Sequence, residues 1–527
     1  MTGGHGDDSP VRRNIRATLM PGFVGTLLPD WLRLRLQDGL GAVCLFGQNI
    51  VSIAQLRALT DSIRAANPLA VIAIDEEGGD VTRLYFSSGS PYPGNAILGR
   101  IDDLGYTEEV GRQVGWELRK AGCTLTFAPD TDVNSNPDNP VIGVRSFGVD
   151  PVRVGLHSAA WVRGLQSTGV AACPKHFPGH GDTALDSHLA MPVVDLPPST
   201  LRERELVPFN AAITAGAKTI MTSHILLPQI DPENPATLST RVLGGLLRTE
   251  LGFTGVIVSD ALDMKGASGI LGIPGAAAAA LAAGCDLLCI GTENTAEQLD
   301  QIEAAILAAV DAGTLTEARL AEAAGRVHRL AAGIRDDTLD IQLPAAALTM
   351  PEPSFDTGRI RASFAINDHA KRWLAAVPET FPVVRLDTVT NIAVGLAPWG
   401  PFAEAAAHPE SDLATVWLAR PLLARSAEDS GALELSADSA VVVIGKDNHR
   451  HPFIRDLVDT LRADRRDVLV VDMGWPSDDL RYADIATFGA SRLAGRALLE
   501  LLAAVPPTAV PLTAVPLTAE PVTAEPV

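Results

Sequence analysis

The chain has 527 residues, 46% of them hydrophobic, and its 42 basic and 63 acidic residues give a formal net charge of −21. This length predicts two domains, and the hydrophobic content is ample for packed cores, which excludes global disorder. The negative field opposes binding to nucleic acid and to anionic membranes, so we expect neither as a partner.

The chain carries no visible targeting signal. Residues 1–10 are polar, and no apolar segment of a signal peptide follows them. The longest apolar run, residues 275–284, is alanine-rich and too short to span a bilayer. The five cysteines have neither the density of a disulfide framework nor a zinc-binding spacing. We therefore predict a cytoplasmic protein.

Short apolar runs alternate with amphipathic segments through the first two-thirds of the chain. The runs predict eight strands, at residues 17–23, 42–46, 69–74, 124–128, 169–173, 219–222, 255–259 and 286–290. Helices are predicted at residues 53–66, 106–121, 152–167, 201–215, 241–251 and 316–333. This α/β pattern predicts a (β/α)8 TIM barrel, although a doubly wound open sheet would give the same local alternation.

The remaining segments predict the domain boundaries. We assign a catalytic TIM-barrel domain to residues 1–335 and a Pro/Ala-rich linker to residues 336–354. Further apolar runs predict a smaller three-layer α/β sandwich domain at residues 355–503. We interpret its polar loop, residues 445–451, as a solvated turn, with a ligand contact as the alternative. The proline-containing repeats of residues 504–527 predict a disordered tail.

The densest group of titratable side chains lies in residues 175–188, KHFPGHGDTALDSH, directly after a predicted strand. Glycine, proline and polar residues favour a loop there. Asp186 and His188 are two residues apart, so an extended backbone would put them on one side, where the carboxylate fixes the imidazole tautomer and raises its basicity. A structural Asp–His turn is the alternative. His176 and His180 have the spacing of a helical metal site, but the intervening Phe-Pro-Gly excludes a helix.

Polar residues also follow other predicted strands. Asp75-Glu76-Glu77-Gly78-Gly79, His224 and Asp260 each come after a strand, and parallel strands of a barrel bring such ends to one face. The acidic turn suits a polyhydroxylated ligand or the start of a helix. Asp260 is either a carboxylate at the barrel mouth or a helix N-cap.

Together these motifs resemble glycoside hydrolase family 3, in particular its β-N-acetylglucosaminidase branch. The block at residues 175–188 is highly specific to that branch. The second domain resembles the α/β sandwich that accompanies the barrel in many relatives. The matching stretches are residues 21–26, 45–50, 74–84, 127–129, 139–148, 175–188, 235–239 and 256–264.

The resemblance implies a role for each site residue. Asp260 matches the catalytic nucleophile, and His188 matches the acid/base with Asp186 as its dyad partner. The residues that match the sugar-binding set are Asp75, Arg83, Arg145, Lys175 and His176. One departure is Asp80, where many relatives carry a basic or neutral residue. No cofactor or metal is implied.

The expected activity is that of a retaining exo-β-N-acetylglucosaminidase acting on cell-wall saccharides of the muropeptide or chitin type. The first alternative is a phosphorylase of β-N-acetylglucosaminides or β-glucosides, because a histidine acid/base does not repel an anionic acceptor such as phosphate. A catalytically silent sugar-binding protein and a metal-dependent hydrolase are further alternatives. We expect a monomer or a homodimer.

Overall fold

A computed structural model of the protein describes residues 9–503 except 184–190, 270, 346–351, 377–380, 390, 392, 412–420, 434, 436–439 and 465–466. The predicted tail, residues 504–527, and part of the predicted linker therefore lie outside the described residues. No helix in the described part of the chain combines the length and the apolar composition needed to cross a membrane.

All eight predicted strands of the first domain are present, each shorter than its apolar run. An antiparallel pair that was not predicted, β7 with β8, is inserted before the seventh of them. The strands are β1 (Leu19–Met20), β2 (Ala42–Leu45), β3 (Val71–Ile74), β4 (Leu125–Thr126), β5 (Ala171–Ala172), β6 (Thr219–Met221), β7 (Leu226–Leu227), β8 (Asp231–Pro235), β9 (Val256–Val258) and β10 (Leu288–Cys289).

These strands follow one another in a TIM-barrel-like arrangement. Strands β2 to β5 form a parallel sheet, β6 pairs with β9, and β1 pairs with β10. Parallel bridges from Phe177 to Thr222 and from Val258 to Leu287 join these sheets. The amide of Cys44 donates to the carbonyl of Pro21 over 3.0 Å, which links β2 to the chain directly after β1.

Alternate strand residues pack on opposite sides of this frame, as the twofold period of a strand requires. Ala42 and Cys44 of β2 belong to an inner cluster with their counterparts on the other strands. Val43 and Leu45 pack outward against the helices. The inner cluster also contains four residues of a long helix, which therefore covers one end of this frame: Val327, Leu330, Ala331 and Ile334.

All six predicted helices of the first domain are present, with differences in three of them. Seven further helices were not predicted, namely those at Pro10–Ala17, Asp30–Gln37, Asn95–Ile101, Pro198–Thr200, Lys265–Ser268, Gly272–Ala283 and Ala296–Asp311. Residues Leu201–Glu205 and Arg241–Glu250 form π-helical segments, and α12 runs past its predicted end, through the first residues of the predicted linker, to Asp340. The helices are α1 (Pro10–Ala17), α2 (Asp30–Gln37), α3 (Ile53–Ala66), α4 (Asn95–Ile101), α5 (Leu104–Ala121), α6 (Pro151–Gln166), α7 (Pro198–Thr200), α8 (Leu206–Thr214), α9 (Lys265–Ser268), α10 (Gly272–Ala283), α11 (Ala296–Asp311) and α12 (Glu317–Asp340).

Side-chain caps explain where several helices begin. Ser52, Asp150 and Thr316 each accept a hydrogen bond from a backbone amide of the first helical turn, in α3, α6 and α12. Such a cap satisfies an N–H group that has no partner within the helix, and it is typically worth about 1 kcal/mol.

The second domain is built on a mixed six-stranded sheet in the order β11-β16-β15-β14-β12-β13. Its strands are β11 (Ala365–Ile366), β12 (Val383–Leu386), β13 (Leu422–Ala424), β14 (Val441–Gly445), β15 (Val468–Asp472) and β16 (Ile485–Ala486). Its helices are α13 (Thr357–Ala362), α14 (Asp368–Ala375), α15 (Gly400–Ala407), α16 (Ala427–Gly431), α17 (Pro452–Asp464) and α18 (Arg492–Ala503).

Helices cover both faces of this sheet. On β14, Val442 and Ile444 pack with α18, whereas Val441 and Val443 pack with α17. The near-continuous valine and isoleucine run of this strand is what burial on both faces requires.

Candidate active site

The predicted site residues that the structure describes all line one cavity of about 380 Å³. They are Asp75, Arg83, Arg145, Lys175, His176 and Asp260. The other two predicted residues, Asp186 and His188, lie outside the described residues. A second cavity of about 430 Å³, lined by Lys218, Gly255 and Arg326, lies before β6 and β9, at the opposite end of the strands, and contains none of the predicted residues.

The cavity lies where the strands end. Asp75 follows β3, Lys175 and His176 come shortly after β5, and Asp260 follows β9. Arg145 comes from a 3₁₀ turn, Gly143–Arg145, in the connection after β4. This agrees with the rule that the carboxyl ends of barrel strands carry the functional side chains.

A buried network of opposite charges forms one wall of the cavity. Lys175 Nζ lies 2.5 Å from Asp75 Oδ1 and 2.7 Å from Glu77 Oε1. The Arg145 guanidinium donates to both oxygens of Glu77, from Nε over 3.0 Å and from Nη2 over 2.7 Å. Burial raises the pKa of Glu77, but the positive charges of Arg145 and Lys175 have the larger combined effect and lower this pKa to about 2. The wall therefore presents fixed charges that can bind hydroxyl groups.

His176 is held by a carboxylate that the sequence analysis did not single out. Its Nδ1 lies 2.7 Å from Asp132 Oδ2, and its Nε2 lies 3.4 Å from Arg145 Nη2. With Nδ1–H donating to Asp132, the Nε2 atom is the acceptor. Burial disfavours the charged form of Asp132, yet His176 and His180 hold the pKa of this carboxyl below its ordinary value.

Asp130 is a second buried carboxyl beside this pair. It is fully buried, and its Oδ2 lies 3.5 Å from Arg145 Nη2. Burial and the neighbouring Asp132 carboxylate raise the pKa of Asp130 well above its ordinary value. Ligand atoms of Asp130, Asp132 and His176 all lie within 4.8 Å of one another, but Arg145 already provides a positive charge there.

The acidic segment after β3 is a tight loop and not the start of a helix, so that alternative is wrong. Glu76 is fully buried, and its Oε2 accepts hydrogen bonds from the Thr82 hydroxyl over 2.8 Å and from the Arg83 and Leu84 amides over 2.9 Å each. Glu76 thus folds the loop back on itself. As a result Asp75, Glu77 and Arg83 come together at the cavity.

Asp260 is placed by β9 and not by a helix. Its amide donates to the Thr222 carbonyl over 3.2 Å, and its Oδ1 accepts from the Ala261 amide over 2.8 Å. Helix α9 begins only at Lys265. The N-cap alternative for Asp260 is therefore wrong, and its carboxylate lines the cavity.

The glycines that precede Asp186 and His188 in the sequence are closely packed. A Cβ atom on Gly181 would lie 1.6 Å from the Val133 carbonyl oxygen, and one on Gly179 would lie 2.7 Å from Glu205 Oε2. Both positions therefore leave no room for a larger side chain.

The sequence analysis missed two buried carboxyl groups that contact the lining residues Arg145 and His176, and one lining residue of the second domain. Asp130 and Asp132 follow the recognised Phe-Ala-Pro motif at the end of β4, so their position after a strand was an available signal. Ala393, from the second domain, also lines the cavity, and its carbonyl accepts from Arg83 Nη2 over 2.7 Å. A backbone carbonyl contributed by another domain leaves no signal in the sequence.

Comparison with known proteins is consistent with this site. Residues 33–330 match the family model described as the glycosyl hydrolase family 3 N-terminal domain. The chain is 39% identical to a beta-hexosaminidase of Stenotrophomonas maltophilia over 52% of this chain and 82% of that protein. It is 34% identical to beta-hexosaminidase A of Pseudoalteromonas piscicida, over 62% of this chain and 59% of that relative's length.

Solved structures extend the similarity to both domains. A family 3 β-N-acetylglucosaminidase from Paenibacillus aligns with a TM-score of 0.78 and 29% identity, over 94% of this chain and 97% of its own. A beta-glucoside phosphorylase aligns with a TM-score of 0.74 over 94% of this chain and 92% of its own, and at 22% identity this supports the fold alone.

Proposed function

The chain belongs to glycosyl hydrolase family 3, and from this premise we propose that it is a retaining exo-β-N-acetylglucosaminidase. Its substrates are saccharides with a terminal β-linked N-acetylglucosamine, of the muropeptide or chitin type found in cell walls. The relatives named beta-hexosaminidase and the Paenibacillus β-N-acetylglucosaminidase support this choice of sugar.

One observation carries the proposal. Six residues that come from four separate parts of the chain line a single cavity. The cavity combines the Asp260 carboxylate, which follows β9, with a buried wall of paired charges around Glu77. A wall of this kind satisfies many sugar hydroxyls at once and holds the sugar beside Asp260.

The proposed mechanism is a double displacement. Asp260 attacks the anomeric carbon and forms a glycosyl-enzyme while His188, protonated, donates its proton to the leaving oxygen. Water then attacks the anomeric carbon, neutral His188 takes its proton, and the bond to Asp260 breaks to release the sugar and the free carboxylate. Asp186 orients the His188 ring during both steps. Five residues bind the sugar and hold it so that the anomeric carbon faces Asp260. They are Asp75, Arg83, Arg145, Lys175 and His176.

Product analysis tests this function. The protein is incubated with p-nitrophenyl β-N-acetylglucosaminide and, separately, with the β-glucoside, each with and without phosphate. We expect free N-acetylglucosamine as the product in both buffers and much slower turnover of the glucoside. A sugar 1-phosphate as the main product identifies a phosphorylase instead. No turnover of either substrate, with sugar binding retained, identifies a binding protein.

We further propose that the first domain is a closed (β/α)8 barrel and the second a three-layer α/β sandwich. The chain of strand pairings and bridges supports the barrel, and helices on both faces of the second sheet support the sandwich. In the sequence, the boundary between the domains lies between the end of α12 and the start of α13. The five unpaired, buried cysteines support a reducing, cytoplasmic location.

A further inference from the structure

Asp80 lies in the loop of residues 75–83, here called the sugar-binding loop, but it does not line the sugar cavity. It lines a small separate cavity between the two domains, together with Lys446 and Trp399 of the second domain. Its Oδ1 accepts a hydrogen bond from the Ala490 amide over 2.8 Å, and Ala490 also belongs to the second domain. The departure from the family pattern at Asp80 is therefore matched by groups on the facing domain.

Lys446 is the cation that faces Asp80. It comes directly after β14, and its Nζ lies 5.0 Å from the centre of the Trp399 ring, a distance typical of a cation–π contact. Burial lowers the pKa of Lys446, and among the carboxylates that oppose this effect, Asp80 is the strongest, ahead of Asp447 and Asp387. Lys446 and Asp80 thus line the same small cavity from opposite sides of the domain boundary.

The turn that carries Lys446 is packed, so its interpretation as a solvated turn is wrong. Asn448 is fully buried and donates to the Val471 and Tyr482 carbonyls over 3.1 Å each. Arg450 Nη2 donates to the Pro137 carbonyl of the first domain over 2.6 Å. A rigid turn of this kind holds Lys446 at a fixed place against the first domain.

The second domain contacts the sugar-binding loop at two points in its C-terminal half. At one point the Ala490 amide binds Asp80, and three residues further on Arg83 Nη2 donates to the Ala393 carbonyl. Between these points and β3 lie the Glu76 turn and the Glu77 ion pairs. The position of the loop, and hence of Asp75 and Arg83, depends on groups of the second domain.

We propose that Asp80 is a positioning residue, and that its hydrogen bond from Ala490 and its attraction to Lys446, which lines the same cavity, set the geometry of the sugar subsite. The second domain then acts on substrate binding through this loop, and among the described residues it contributes Ala393 to the cavity lining. The inference rests on the proposed function only in using glycosidase activity as one of its two readouts.

The first test is kinetic and uses Asp80→Asn, Lys446→Met and the double variant. The amide of Asn can still accept from Ala490, so Asp80→Asn removes the charge and keeps the hydrogen bond. Each single variant is expected to raise KM about tenfold, with a smaller change in kcat. This is the order of the interaction free energy that two coupled neighbouring residues lose when one of them is replaced. The double variant should be no worse than either single variant. Lys446→Arg, which keeps the positive charge, should have a KM close to that of the wild type.

The second test is amide hydrogen exchange of peptides that cover residues 75–83. Lys446→Met should speed exchange in this loop of the first domain, whereas Lys371→Met, at an exposed position of α14, should not change it. This readout needs no activity. An inactive wild-type protein contradicts the proposed function, while the exchange data still decide the inference.

Clear outcomes overturn the proposal. One is unchanged KM together with unchanged exchange of residues 75–83 in Lys446→Met. The other is a double variant whose defect is the product of the two single defects, since this means that Asp80 and Lys446 act independently. Thermal unfolding of every variant shows whether a substitution has impaired folding in general. If Lys446→Met has done so, KM and the exchange of residues 75–83 are compared in Asp80→Asn and Lys446→Arg instead.

Discussion

Arg145 and Glu77 face each other in a two-point ion pair, Nε to Oε2 at 3.0 Å and Nη2 to Oε1 at 2.7 Å, with both side chains buried. Planar groups joined at two points cannot rotate independently, so this pair fixes the orientation of both side chains. Lys175 shares the same carboxylate. The pair therefore couples three strand-end connections at the cavity wall.

Replacing Glu77 by Gln is expected to destabilise the fold by about 3–5 kcal/mol, because it removes one partner of a buried pair and leaves the cations uncompensated. Chemical denaturation measures this change. Glu322→Gln is the matched control, since Glu322 pairs with Arg326 but is half-exposed, and it should cost about 1 kcal/mol or less. Equal effects of the two variants would contradict the structural role of Glu77.

The same carboxylate predicts a pH dependence of stability. Against burial, Arg145 and Lys175 lower the pKa of Glu77 from 4.5 to about 2. A depressed carboxylate pKa stabilises the folded state above pH 4.5, and this contribution of about 3 kcal/mol is lost as the pH falls toward 2. The stability difference between wild type and Glu77→Gln should therefore shrink over this interval. A difference that stays constant would show that Glu77 is not ionised in the folded protein.

Asp132→Asn tests the carboxylate that holds His176. Asp132 accepts from His176 Nδ1 and from the His180 amide, each over 2.7 Å, and the amide nitrogen of Asn cannot accept a hydrogen bond. Leaving one buried donor without a partner costs about 1–3 kcal/mol, so kcat/KM should fall about 10- to 100-fold. Asp195→Asn, at an exposed site, is the control. Wild-type activity of Asp132→Asn would remove Asp132 from the site.

Arg83→Lys tests the contact with the second domain. A single nitrogen of Arg83, Nη2, lies 3.3 Å from Asp75 Oδ2 and 2.7 Å from the Ala393 carbonyl oxygen. Lysine keeps the charge but not the planar guanidinium geometry. We expect KM to rise about tenfold, in line with the loss of a charged hydrogen bond. Arg57→Lys on the exposed face of α3 should leave KM unchanged, and an equally unchanged KM in Arg83→Lys would contradict the assignment.

The order of the strands along the chain was predictable because a strand buried on both faces has a sequence that is a short, continuous apolar run. The strand lengths were not predictable, because burial continues past the last paired residue. Phe127 and Cys173 are buried beyond the ends of β4 and β5, and so they extend the apolar runs without extending the strands.

The convergence of residues on one cavity was predictable where one segment contains several of them, as in residues 75–83 and 175–176, and their roles stay predictions. It was not predictable where a role depends on a distant segment. Asp130 is adjacent to Lys175 only through a bridge between neighbouring strands. The partners of Asp80 lie in the second domain, more than 300 residues away in sequence. No local pattern contains such pairings.

The most direct test of the proposed mechanism is to trap the glycosyl-enzyme. The protein is treated with a 5-fluoro N-acetylglucosaminyl fluoride, whose ring fluorine slows hydrolysis of a covalent intermediate, and is then analysed by intact mass and peptide mapping. The account predicts one added sugar residue per chain, located on Asp260, and no adduct in Asp260→Asn, whose kcat should fall by on the order of 10⁴-fold or more. An adduct on another residue, or turnover with inversion at the anomeric carbon and no adduct, would contradict it.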